Sequence, residues 1–227
     1  MKNKTTPSFT NTSGQPRQHA ERGVSLIVVL MFVFAISGIT IWAARQAMLG
    51  EGMARNQLDL EVARQAAETA LRDAERDIMT MSGSLLSNAS CNRGREDRLP
   101  QPLDFSTDCR GGLCKMNPTV YTTSTWKAKT VTEPWWPTGR GGLWNNNFNT
   151  KPGREPVNNS NCNFTGGVPL GTFTGMAAVK GVAVQPEYLI EHFIVNTTQP
   201  TPYYRITARG FGYRQRTQVV LQTIFKP

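Results

Sequence analysis

Hydrophobic residues run from Val24 to Ala44 without a single charge, between Arg22 and Arg45. Ser25, Ser37, Gly38 and Thr40 are the only interruptions. A helix over this run spans roughly 30 Å, the thickness of a bilayer's hydrocarbon core. From Arg45 to about Met81 the pattern becomes amphipathic. Leu49, Met53, Leu60, Ala63, Ala67, Leu71, Ala74, Ile78 and Met81 recur mostly at three- and four-residue steps. The polar positions between them mix signs and include Asp59, Glu68, Arg72, Asp73 and Asp77; Glu68 and Arg72 have i,i+4 spacing. Leu49, Met53, Leu60, Ala67, Leu71 and Ile78 are therefore the candidate helix-packing residues, and the Ala positions allow close approach of a sheet or helix. Proline is absent between Pro16 and Pro100, so the two patterns can form one helix, roughly 87 Å long at helical rise. Gly38, Gly50 and Gly52 are its soft points, and Ser82-Gly83-Ser84 ends it.

Residues 84–180 are turn-rich, with few periodic runs. Trp126, Trp135, Trp136, Trp144 and Phe148 cluster there, and the core of a loop-rich lobe is preferred over a partner-binding surface. Strand signals follow. Glu187–Val195, Tyr203–Gly210 and Thr217–Phe225 are rich in β-branched and aromatic residues and alternate in polarity. Thr197–Pro202 and Phe211–Arg216 read as connecting turns, and Ala177–Val184 as a fourth strand. The expected class is α+β: a long N-terminal helix, hydrophobic anchor plus amphipathic half, packed on a C-terminal antiparallel sheet.

Charge sharpens the topology. Residues 1–23 hold four Lys/Arg and one Glu, whereas residues 82–227 hold sixteen Lys/Arg and eight acids, within a net charge of +9. The basic leader ahead of an apolar helix puts the N-terminus in the cytoplasm and the body across the membrane. There the four cysteines, Cys91, Cys109, Cys114 and Cys162, are candidates for disulfides. Cys109 and Cys114 bracket a short flexible loop that can close as a small ring, leaving Cys91 for Cys162; nested pairings fit equally well. Zinc is the poorer reading, because no C-x₂-C pair exists and the only histidines are His19 and His192. Arg205, Arg209, Arg214 and Arg216 can contact DNA phosphates, but a solvated edge that discourages strand pairing is preferred. No phosphate loop, H-E-x-x-H or G-x-S-x-G motif occurs, so the expectation is a non-enzyme without cofactor or metal.

Arg22-Gly23-Val24-Ser25-Leu26-Ile27-Val28-Val29-Leu30-Met31-Phe32 resembles the start of the type IV pilus assembly protein PilX family, which are minor pilins. Gln65-Ala66-Ala67-Glu68-Thr69-Ala70-Leu71-Arg72-Asp73-Ala74-Glu75 and Tyr204-Arg205-Ile206-Thr207-Ala208-Arg209-Gly210-Phe211-Gly212 are similar to later stretches of that family. The resemblance implies a pilin-like fold, cleavage by the prepilin peptidase between Gly23 and Val24, and N-methylation of Val24. It divides the chain into a leader (1–23), a transmembrane helix (24–44), an amphipathic stalk (45–81) and a periplasmic body (82–227) with a β-meander at about 187–225. Most major pilins carry Glu at the fifth position after the cut; here that position is Val28. A subunit without that carboxylate suits a place at or near the filament tip, or in the priming complex.

The implied function is to prime or tip pilus assembly through helix–helix packing, serving motility, adhesion or DNA uptake. The implied partners are other minor pilins, the major pilin, the peptidase and the bacterial inner membrane, with a host surface or DNA as candidate tip ligands. The alternative is a permanently anchored periplasmic binding or adhesin protein.

Overall fold

The computed structural model describes residues 24–79, 89–94, 98–115, 132–145, 162–195 and 201–227. The leader with Gly23, the helix stop at Ser82-Gly83-Ser84, Trp126, Phe148 and most of the turn 197–202 fall outside the described residues. One helix, α1, runs Val24–Met79 through Gly38, Gly50 and Gly52. The chain forms two compact units, one ending at Gly52 and the other beginning at Met53. In the first, every described side chain is exposed.

The second unit is the stalk of α1 from Met53, a five-stranded sheet and the loops between them. The strands are β1 (Leu113–Lys115), β2 (Val168–Pro169), β3 (Glu187–Val195), β4 (Thr201–Phe211) and β5 (Gln218–Phe225). β3, β4 and β5 form the expected antiparallel meander in the order β3-β4-β5. The sheet as a whole is mixed, because β1 pairs in parallel with β3, Leu113 facing Ile190. β2 pairs with the start of the same β3 edge, Val168 facing Tyr188. The carbonyl of Gly112 accepts from the Ile190 N–H at 2.8 Å, and its φ of +80° with Val168 packed against it leaves no room for a Cβ.

The fourth strand expected over Ala177–Val184 does not form; the segment is a loop. Both backbone groups of Val179 bond a side chain instead, and the Ala183 N–H donates to the Gly212 carbonyl at 2.8 Å. Gln185 accepts from the Val179 N–H and donates to the Val179 carbonyl, both at 2.9 Å. Gly175 and Gly181, with φ of +70° and +81°, turn the chain on either side.

The sheet is covered on both faces. Tyr188, Ile190, Tyr204, Ile206 and Ala208 form one core with Ala70, Ala74 and Ile78 of α1. Each buried Ile there contributes on the order of 1.5–3 kcal/mol. Leu189 on the opposite face packs with Trp144, Cys109 and Cys114, flanked by Trp135 and Leu143. Trp144, with Trp135 packed against it, thus serves as lobe core. Trp144 is buried and its indole N–H donates to the carbonyls of Trp135 (3.2 Å) and Trp136 (3.0 Å).

Small residues set how closely α1 approaches the sheet. Ala63, Ala66, Ala67, Ala70 and Ala74 are all fully buried. Opposite them, Gly210 of β4 lies against the backbone of α1; a Cβ there would overlap the Ala63 carbonyl and sit 2.9 Å from the Ala67 Cα. Backbone cannot rotate away as a side-chain end can. Gly210→Ala is therefore expected to cost about 3 kcal/mol by forcing helix and strand apart. Urea unfolding of the full chain in mild detergent reads this as a lower midpoint; an unchanged midpoint would mean the contact is loose.

Candidate functional site

The apolar half of α1 exposes its described side chains throughout. Leu26, Phe34 and Trp42 are 72%, 70% and 65% exposed, and its most apolar window is 0% buried. It is long and apolar enough to cross a membrane. Its polar side chains are satisfied within the helix: Ser37 donates to the Val33 carbonyl and Thr40 to the Ser37 carbonyl. In lipid that matters, since an unsatisfied hydroxyl there has no water to turn to.

The six packing candidates divide. Ala67 and Ile78 are buried and Leu71 is half-buried, all within the second unit. Met53 and Leu60 are exposed, as is Leu49 in the first unit. Glu68 pairs with Arg64 at 3.2 Å, not with Arg72 as the spacing suggested.

The buried face of the stalk runs Asp59, Ala63, Ala66, Ala70, Asp73, Asp77, in alternating four- and three-residue steps. Sequence periodicity counted its three aspartates among the polar positions of the stalk; the structure turns them inward, and each anchors a different loop. Asp59 accepts from the Tyr213 N–H at 2.6 Å and from the Thr217 hydroxyl at 2.5 Å, holding the β4–β5 turn. The Thr217 bond leads in lowering its pKa, so stability from this group is present above the usual carboxylate range and is lost as pH falls. Asp73 accepts from the Gly171 N–H at 2.7 Å and from the Thr174 hydroxyl, holding the loop after β2. Burial raises its pKa against those two bonds. Its contribution therefore has the opposite sign, present in acid and lost as pH rises through the folded value.

Asp77 carries the largest cluster. Arg93 grips both its oxygens, Nε at 3.0 Å from Oδ1 and Nη2 on Oδ2. The Tyr188 hydroxyl donates to Oδ2 at 2.9 Å. Arg93 also donates to the Gly111 carbonyl at 2.6 Å and lies 3.6 Å from the centre of the Phe173 ring. Burial, then the charges of Asp77 and Asp73, push the Tyr188 phenol well above its ordinary value, so it stays a donor.

The arginine reading of the last hairpin is corrected. Arg205 and Arg209 lie on β4, an internal strand, and point to the lobe side. Arg205 makes a two-pronged bond to Glu191, each contact 2.7 Å, and Arg209 pairs with Glu187. Trp144 lies 4.7 Å below the Arg209 guanidinium. Neither cation is available to a phosphate backbone. Arg214 and Arg216 are exposed at the turn.

Both disulfides are present: Cys91–Cys162, bridging a separation of 71 residues, and Cys109–Cys114, closing a ring across 5. Among the described residues no group of three or more His, Cys, Asp or Glu side chains could hold a metal ion. His192 packs between Phe105 (5.5 Å) and Tyr204 (5.6 Å), and burial lowers its pKa. The arrangement offers packing surfaces and anchored loops.

Comparison with known families finds two matches. A family described as "Type IV pilus assembly protein PilX C-term" matches residues 110–227, and one described as "PilX N-terminal" matches residues 22–72. No curated protein and no solved structure matches. Asp73, Asp77, Cys91, Arg93 and Cys109 all lie between the two matched segments.

Proposed function

Because the chain belongs to the PilX family of type IV pilus assembly proteins, as a minor pilin, we propose that it primes or tips the filament. The apolar helix holds the subunit in the inner membrane, with the body on the periplasmic side. Prepilin peptidase cuts between Gly23 and Val24, Val24 is N-methylated, and the freed helix leaves lipid to pack against the helices of other minor pilins and the major pilin. The observation that carries this is the division of burial: the described apolar side chains of the first unit are uncovered, whereas the second closes its own core. A surface so apolar needs lipid or sister helices around it.

Leu49, Met53 and Leu60 extend the apolar offer beyond the anchor and are the side chains we assign to contacts with neighbouring subunits. Ala67, Leu71 and Ile78 are committed to the subunit's own body. Val28 supports the tip, since a buried carboxylate in lipid costs roughly 2.5–3.5 kcal/mol unless paired, and this subunit carries none at that position. With Arg205 and Arg209 neutralised inside, only Arg214 and Arg216 of the four remain for DNA, and we do not extend the proposal to it.

Intact-mass measurement on protein purified from cells is the test. Loss of residues 1–23 together with gain of one methyl group is expected. A chain that retains its leader overturns the proposal and leaves the permanently anchored periplasmic protein.

A further inference from the structure

The two edges of the sheet are treated differently. The outer edge of β3 is capped by two short strands, β1 and β2, a common protection against unwanted pairing. β5 ends the sheet on the other side, and among the described residues no strand pairs with its outer edge. It pairs with β4 without interruption from Gln218 to Phe225, with no bulge, no proline and no charged residue along it. Along β5 itself the bulge, proline or charge that usually blunts an edge is missing.

Its outward backbone groups can be assigned. The Gly212 N–H donates to the Thr217 carbonyl across the turn, so that facing pair is a hydrogen-bonded one. Antiparallel pairs alternate, and Gln218, Val220, Gln222 and Ile224 therefore turn N–H and C=O outward. These four are also the exposed residues of the strand, Val220 at 48% and Ile224 at 65%. On the helix side Val219, Leu221 and Phe225 are only half-buried. An added strand would satisfy the backbone and cover apolar flanks on both faces.

Charge selects the occupant. Exposed Arg214 and Arg216 precede β5, exposed Lys226 follows it, and no Asp or Glu occurs from His192 to the last residue. Among the described residues the acids near this region include Asp59, held under the turn by Tyr213 and Thr217, Glu187, taken by Arg209, and Glu191 and Glu133, both paired with Arg205. A second copy is a poor fit. Antiparallel β5–β5 pairing sets Arg214 and Arg216 beside the other copy's Lys226, and parallel pairing sets like beside like; both are repulsive. We propose that β5 is a docking edge for an extended segment of another polypeptide, apolar at its centre and acidic at its ends, which adds as a further strand. This rests on the sheet alone and stands or falls separately from the tip assignment.

The test uses the full chain in detergent micelles and two synthetic peptides of alternating valine and threonine, one flanked by glutamates and one by lysines. Binding is read by fluorescence anisotropy, and cover of the edge by amide hydrogen exchange. The glutamate peptide is expected to bind at least tenfold more tightly than the lysine peptide, the gap narrowing as salt rises. The amides of Gln218, Val220, Gln222 and Ile224 are expected to exchange fast in the free chain and slowly in the complex. Gln222→Pro removes an outward donor at a position where an edge strand tolerates proline. Val220→Lys places a charge on a side chain that is already exposed, and carries the test if the proline variant does not fold. Either variant is expected to weaken binding at least tenfold; Val220→Lys leaves the unfolding midpoint unchanged, whereas Gln222→Pro lowers it modestly because it also removes the bond that the Gln222 side-chain amide donates to the buried Thr207 hydroxyl at 2.8 Å. Equal binding of the two peptides, no binding, protection of those amides before peptide is added, or self-association through β5 would each overturn the proposal.

Discussion

Asp77→Ala is expected to destabilise the body by about 4 kcal/mol, because it strands a buried cation. Asp77 is 1% exposed at its side chain and Arg93 11%, and their contact is two-pronged. Removing the carboxylate leaves the Arg93 guanidinium under the fold without its counter-charge, although it keeps the Gly111 carbonyl and the Phe173 ring. It also takes away the acceptor of the buried Tyr188 hydroxyl. Asp77→Asn keeps an acceptor for Tyr188 and should lose about half as much. The decisive variant is Asp77→Leu with Arg93→Met. If the cost of the single change is an unpaired charge, replacing both partners by apolar groups should recover most of it. Urea unfolding of the parent chain, Asp77→Leu, Arg93→Met and the double variant gives the cycle, and a double variant as unstable as Asp77→Ala would show that the pair's geometry, not its charge balance, holds α1 to the loop at Arg93.

How legible this arrangement was depends on length and period. Glu187–Val195 was readable to the residue, and β4 and β5 to within two, because eight or more alternating residues rich in Val, Ile, Tyr and Phe leave little choice. β1 and β2 have three and two residues and no period to detect. The segment Ala177–Val184 had strand composition, but the side chain of Gln185 took both backbone groups of Val179.

The buried charges were missed for a different reason. A periodicity count assigns carboxylates to water, so Asp59, Asp73 and Asp77 were set apart from the alanines they share a face with. A finer signal was present: every residue in the series 59, 63, 66, 70, 73, 77 is Asp or Ala, and the strand opposite carries Gly210, with Gly212 just past its end. Likewise Glu187 and Glu191 sit four apart on β3, and Arg205 and Arg209 four apart on β4. Antiparallel register sets Glu187 opposite Arg209 and Glu191 opposite Arg205. Opposite charges at equal spacing on adjacent strands point to one another, and that reading needs the pairing, not only the strands.

The two disulfides offer a contest between mechanisms, and here the second large effect is expected. Loop-closure entropy grows with the length of chain a bridge closes. For Cys91–Cys162, spanning 71 residues, it predicts about 4 kcal/mol, and for Cys109–Cys114, spanning 5, about 2 kcal/mol. Packing ranks them the other way. Cys109 and Cys114 are each 1% exposed in the core beneath Trp144, whereas Cys162 is exposed. Alanine pairs separate the two views without burying a new hydroxyl. Cys91→Ala with Cys162→Ala should lower the urea midpoint about twice as far as Cys109→Ala with Cys114→Ala. The long bridge ties the segment beyond the stalk, where the Cys91 N–H bonds the Thr172 carbonyl, to the start of the irregular segment that leads to β2. Freeing it lets some seventy residues expand in the unfolded chain. The reverse order of effects would mean that the ring is a packing element of the Trp144 lobe first and a crosslink second.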